Sequence, residues 1–99
     1  MEHFWVDEFP GSITVCDLDG IILEMNDRAA KGYADRGGRQ LIGSNLLNCH
    51  SDESLDKVRR LLESRQANVY TIEKNGIKKL IYQSPWFREG ECGGFVELS

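Results

Sequence analysis

Asn75-Gly76 constrains this chain more than any other pair of its residues. Both residues tolerate the positive φ that a two-residue hairpin loop demands. A β-rich run lies on each side, from Asn68 to Lys74 and from Ile77 to Phe87. In that register Glu73 stands opposite Lys78, a favourable cross-strand pair. The C-terminal third is therefore expected to be antiparallel sheet. Val69, Leu80, Tyr82 and Trp86 fall on one face of the hairpin, and Tyr70, Ile72, Ile77 and Ile81 on the other. A sheet with one solvated face alternates more cleanly. A second cover is expected, either the aromatic N-terminal segment or another subunit. Because both faces are apolar, the pattern leaves open which one looks inward.

The rest of the chain supplies the remaining elements. Ser12 to Cys16 reads as a strand, Leu18-Asp19-Gly20 as a hairpin turn, and Ile21 to Met25 as the returning strand. Asn26 suits a helix N-cap, with Asp27 at the positive end. Ala29, Ala30, Tyr33 and Ala34 share one face of that helix, and Gly37-Gly38 is expected to end it. A short apolar connector follows from Leu41 to Cys49, with a helical turn around Asn45-Leu46-Leu47. Ser51 can cap the next helix, led by Asp52 and Glu53, where Leu55, Val58, Leu61 and Leu62 form an apolar stripe. Arg88-Glu89-Gly90-Glu91 turns the chain into a last strand, Gly94 to Leu98. At the start, Phe4, Trp5, Val6 and Phe9 precede the break at Pro10-Gly11 and read as a short helical or irregular cap. The series describes a small sheet with two or three helices across one face and a pocket between them.

Composition narrows the function classes. Ninety-nine residues allow one domain with a modest core. The net charge is −4 and the pI about 5.1, and the basic pairs Arg59-Arg60 and Lys78-Lys79 sit among acids. Without a basic face, nucleic acid is not expected as a partner. No apolar run approaches the ~18 residues that would span a bilayer, and the N-terminus lacks a signal-peptide pattern. No membrane partner and a cytoplasmic location are the expectations. Cys16, Cys49 and Cys92 include no C-x-x-C pair, so reduced thiols are expected, with no disulfide framework and no metal site.

With its elements in order, the chain resembles a PAS domain. The resemblance runs from about Ser12 to Leu98. It rests on Asp17 and Gly20 in the first hairpin, on Asn26, Ala29 and Tyr33 in the helix after it, on Ile42-Gly43, and on His50-Ser51-Asp52-Glu53 at the next helix start. Ser51 stands where the family commonly has Pro, and it keeps capping ability. The resemblance implies an α+β fold, a five-stranded antiparallel sheet in the order 2-1-5-4-3 with helices on one face. It implies residues 1–11 as a cap and 12–99 as a single PAS domain. It also implies a sensory or signalling module without catalytic activity of its own. With no kinase, cyclase or DNA-binding segment after Ser99, the chain is expected to act in trans or to be a piece of a longer protein.

Candidate site residues follow from these placements. Tyr33, Leu46, His50, Val58, Leu62, Tyr82 and Trp86 are the candidate lining of a pocket for a small molecule, aromatic walls suiting a planar or apolar ligand. His50 could ligate haem, although haem-binding family members usually carry that His within the helix body. Gly43-Ser44-Asn45-Leu46 parallels the Gly-x-Asn-Cys of flavin photosensors, but Leu46 replaces the reactive thiol, which leaves only non-covalent flavin. The main expectation is no cofactor. Phe4, Trp5 and Phe9 are candidates for a dimer contact or cap. No nucleophile–base–acid set is present, so an enzyme is not expected. Two readings stand: a ligand-responsive sensor that alters a partner or homodimer contact for a downstream signalling protein, and a ligand-free dimerisation module.

Overall fold

The computed structural model describes residues 4–45, 56, 59–61 and 63–99. Helix α1 (Phe4–Asp7) leads into strands β1 (Ile13–Asp17) and β2 (Ile22–Met25). Helix α2 (Asp27–Gly32) follows, then two 3-10 turns, Ala34–Arg36 and Gly38–Leu41. Residues 59–61 and 63–64 are helical. Strands β3 (Asn68–Lys74), β4 (Ile77–Arg88) and β5 (Glu91–Leu98) close the chain. All the strand pairs are antiparallel and the sheet order is β2-β1-β5-β4-β3, as expected.

Local chemistry explains each turn. The Asp17 carboxylate accepts from the amides of Asp19 and Ile21, both at 2.9 Å, and Gly20 takes φ 85° to close the β1–β2 hairpin. Asn75 and Gly76 both have positive φ, and Glu73 pairs with Lys78. Glu89 and Gly90, again with positive φ, reverse the chain between β4 and β5. The last strand starts at Glu91, three residues before the expected Gly94, because Arg88 and Phe87 remain in register with Glu91 and Cys92.

Helix α2 is shorter than expected. It stops at Gly32, and the left-handed Gly37 (φ 106°) then separates the two 3-10 turns. The ion pair between Arg39 and Asp27 ties the second of these turns to the start of α2. Asn45, expected in a helical turn, instead bridges to Ile21. Leu46 and Leu47, and the Ser51 cap, lie outside the described residues.

One face of the sheet makes the core. Cys16, Ile22, Met25, Ala29, Leu61 and Phe95 are buried together, with Ala30, Tyr33 and Leu41 packed against them. Leu61 bears out its place in the apolar stripe; Leu55, Val58 and Leu62 lie outside the described residues. Phe95 is 0% exposed and is among the largest fully buried side chains. Burying such a ring contributes roughly 2–3 kcal/mol.

Candidate functional site

The core face of the sheet changes character along the strands. Cys16, Phe95 and Pro85 are successive cross-strand partners and mark its apolar part. Two residues further along, Thr14, Glu97, Gln83 and Asn68 are also successive partners, on β1, β5, β4 and β3. They form a polar row across four strands. Gln83 is only 2% exposed, and Thr14 is buried too. The Gln83 amide donates to Glu97 Oε2 at 3.2 Å and to the Tyr70 hydroxyl at 3.5 Å, and its Oε1 accepts from Asn68 at 3.3 Å. A buried amide needs such partners. These distances sit at the long end of hydrogen-bond geometry.

Hollows flank this row. A cleft of about 200 Å³ lies between α2 and the sheet, lined by Thr14, Ala29, Tyr33, Lys79, Ile81 and Glu97 among others. A second, of about 310 Å³, is lined by Leu61, Asn68 and Tyr70 with residues of the 60–67 segment. A larger open groove of about 550 Å³ runs along the rim, between α1 and strands β1 and β2. It lies beside the edge strand, and the one fully buried amide in its lining, Asn26, already has all its hydrogen bonds within the chain, so the α2 cleft is the better candidate site.

Charge is concentrated at Glu97. Burial, and then the Glu97 carboxylate, hold the Tyr70 hydroxyl above its ordinary value. Burial pushes the Cys16 thiol up to about 12, with Glu97 and Asp17 adding to the effect. The Glu97 charge is thus felt by groups on either side of it on the core face. Among the described residues no group of His, Cys, Asp and Glu could hold a metal ion.

The structure separates the expected pocket residues. Tyr33 is half-buried, packs on the core and lines the cleft. Tyr82 and Trp86 do not join it. Ile81, Gln83 and Pro85 point inward, so the residues alternating with them face outward. Trp86 lies on the outer side across β5, where its indole N–H donates to the Cys16 carbonyl at 2.8 Å. Leu46, His50, Val58 and Leu62 lie outside the described residues. Thr14, Gln83, Glu97 and Asn68 were absent from the expected site. Their signal was alternation: Gln83 follows Ile81 by two, so the two must share a face.

The N-terminal aromatics do not cover the outer face by themselves. Phe4 is 77% exposed, and Trp5 and Phe9 are exposed as well. Val69, Leu80, Tyr82 and Phe87 also remain exposed.

No protein-family model and no curated protein matches the chain. Solved structures do. A PAS domain from Colwellia psychrerythraea matches with a TM-score of 0.72 at 21% identity, over 96% of this chain and 88% of that one. The chain has the PAS fold. A sensory box sensor histidine kinase from Vibrio cholerae gives a TM-score of 0.66 at 16% identity, over 96% and 83% of the two chains. VqmA from the same organism, solved with ligand and DNA, gives 0.70 at 14% identity over 96% of this chain and 47% of VqmA. At these identities it is the PAS fold that is shared. No helix among the described residues is long and apolar enough to cross a membrane.

Proposed function

We propose that this PAS-fold chain is a sensory module that holds a small ligand between α2 and the sheet and answers by changing a contact with a partner or a second copy. The observation that carries the reading is Gln83, an amide almost wholly buried on the core face, with a hollow on either side. A sheet face used only for packing has no need of a four-residue polar row, because burying polar groups without strong partners is unfavourable. A ligand that supplies shorter hydrogen bonds to that row gains both affinity and specificity. Proteins of similar fold, a sensory box sensor histidine kinase and VqmA solved with ligand and DNA, support a sensing role. Tyr33, Thr14 and Glu97, which line the cleft, are the residues assigned to the ligand here, with Gln83 holding the Glu97 carboxylate from the buried side, acting by binding and not by catalysis. Native mass spectrometry of the gently purified protein is the direct test. A co-purifying small molecule, lost in Gln83→Leu, is the expected result. A bare chain, whose melting temperature stays fixed across a broad metabolite set, would overturn the reading.

A second reading is a dimerisation module, favoured by the exposed outer face. Val69 and Leu80 sit there with Tyr82, and Leu80 is 60% exposed. Soluble monomers seldom leave such a patch uncovered. A chain that remains monomeric at high concentration in analytical ultracentrifugation would remove this reading.

A further inference from the structure

The side chains lining the α2 cleft include one acid and one base that do not meet. Glu97 rises from β5 beside Gln83, and Lys79 rises from β4 two residues before Ile81. Both line the cleft, yet among the described residues they form no ion pair with each other or with any other side chain. Among the described residues the Glu97 carboxylate takes one hydrogen bond, from Gln83, through Oε2. Its other oxygen has no donor among the described residues. The Thr14 hydroxyl, directly across from Glu97 and lining the same cleft, also has no hydrogen-bond partner among the described residues. Tyr33 and Ile81 supply the apolar wall between the charged ends.

We infer that the cleft selects a small zwitterion, with an ammonium group seated on Glu97 and Thr14 and an anionic group turned toward Lys79. This rests on the ligand-binding reading above. An ammonium offers three donors and no acceptor, which matches a carboxylate oxygen and a hydroxyl that lack donors of their own. A charge-assisted bond there is shorter and stronger than the long Gln83 bond the carboxylate already has. Size agrees with a short molecule. A hollow of about 200 Å³ corresponds to the liquid volume of roughly seven waters. Lys79 is exposed, so its attraction is screened and tunes the preference instead of setting it.

Four matched probes test this on the whole chain: β-alanine, n-propylamine, propionate and n-propanol, titrated while backbone amide NMR shifts are followed. The expected result is that β-alanine moves the resonances of Thr14, Gln83 and Glu97. n-Propylamine should do so about threefold more weakly. Propionate and n-propanol should leave them in place. Glu97→Gln should weaken β-alanine about tenfold, and Lys79→Gln should bring β-alanine down to the level of n-propylamine. If Glu97→Gln fails to fold, the exposed Lys79→Gln carries the comparison. Equal binding of β-alanine and n-propylamine overturns the part assigned to Lys79. Binding of propionate or n-propanol as tight as that of β-alanine overturns the zwitterion assignment while the ligand-binding reading stands. If none of the four binds, the inference fails, and a set of uncharged aromatic fragments decides the rest. Shifts confined to the cleft keep the broader reading, and no shifts there remove both.

Discussion

Trp86 lies so close over Gly93 that a Cβ built on the glycine would stand 2.2 Å from two of its ring carbons. The indole cannot simply swing away, since its N–H is bonded to the Cys16 carbonyl two strands over. Gly93→Ala should therefore cost about 2 kcal/mol through overpacking and the loss of that bond. The intrinsic fluorescence of Trp86 should shift red as the ring becomes wetter. Thermal denaturation and emission spectra, recorded with Trp5→Phe as background, check both effects.

Asn26 uses its whole hydrogen-bonding capacity. Its Oδ1 accepts from the amides of Ile13 (2.9 Å) and Ala29 (3.0 Å), and its Nδ2 donates to the carbonyls of Val6 (3.1 Å) and Gly11 (2.7 Å). The side chain is 0% exposed. Asn26→Ala should cost about 3 kcal/mol, from the lost cap and the unsatisfied backbone groups. Asn26→Asp keeps the acceptors but turns an anion toward two carbonyls. It should release residues 4–11, seen as faster amide hydrogen exchange there than in the wild type.

Much of this architecture was legible in the sequence because turn chemistry is local. Asn75-Gly76 set the hairpin and its Glu73–Lys78 register, and Asn26 with Ala29 three residues later marked the helix start. The inward face was not legible. Tyr82 and Trp86 are as apolar as Tyr70 and Ile81, so alternation alone gave two equal answers. What decides is tertiary: Phe95 and Pro85 pair on the core side, and the bare backbone of Gly93 accepts the Trp86 ring on the other. The same ambiguity hid Gln83, which reads as a solvent residue until Ile81 is known to be inside. Helix α2 was overestimated because Tyr33 and Ala34 continue its apolar spacing, while the chain already tightens into a 3-10 turn at Ala34.

The two described thiols should behave differently. Cys16 is buried and free, with a thiol pushed up to about 12, whereas Cys92 is half-buried and accepts a 3.3 Å hydrogen bond from Arg65. In a Cys49→Ala background, a thiol reagent at neutral pH should label Cys92 and spare Cys16 until the chain unfolds. Counting labels with and without denaturant checks this.

The same burial makes stability depend on pH. The folded Cys16 thiol holds its proton more tightly than the unfolded one, so its contribution is complete below about pH 9 and is lost as pH rises toward about 12. In that window stability should fall by up to about 1.4 kcal/mol per pH unit from this group. Cys16→Ala should show a shallower decline over the same range in urea titrations. Equal slopes for the two proteins would sink this account.

The outer face can be tested without touching the cleft. Leu80→Asp places a charge where the side chain is already exposed, so the fold should survive. If that face meets a second copy, the variant's dimer should already be dissociated at a concentration about tenfold higher than that at which the wild-type dimer comes apart. Trp5→Ala, also at an exposed position, should act in the same direction more weakly. Sedimentation velocity over a concentration series reads both.

The Asn26 amide is a single rivet through three plates. Helix α1, the entry to β1 and the first turn of α2 are all fastened to it, and α2 is also one wall of the cleft. The wall of the cleft and the N-terminal helix, with its exposed Phe4 and Trp5, therefore share one anchor.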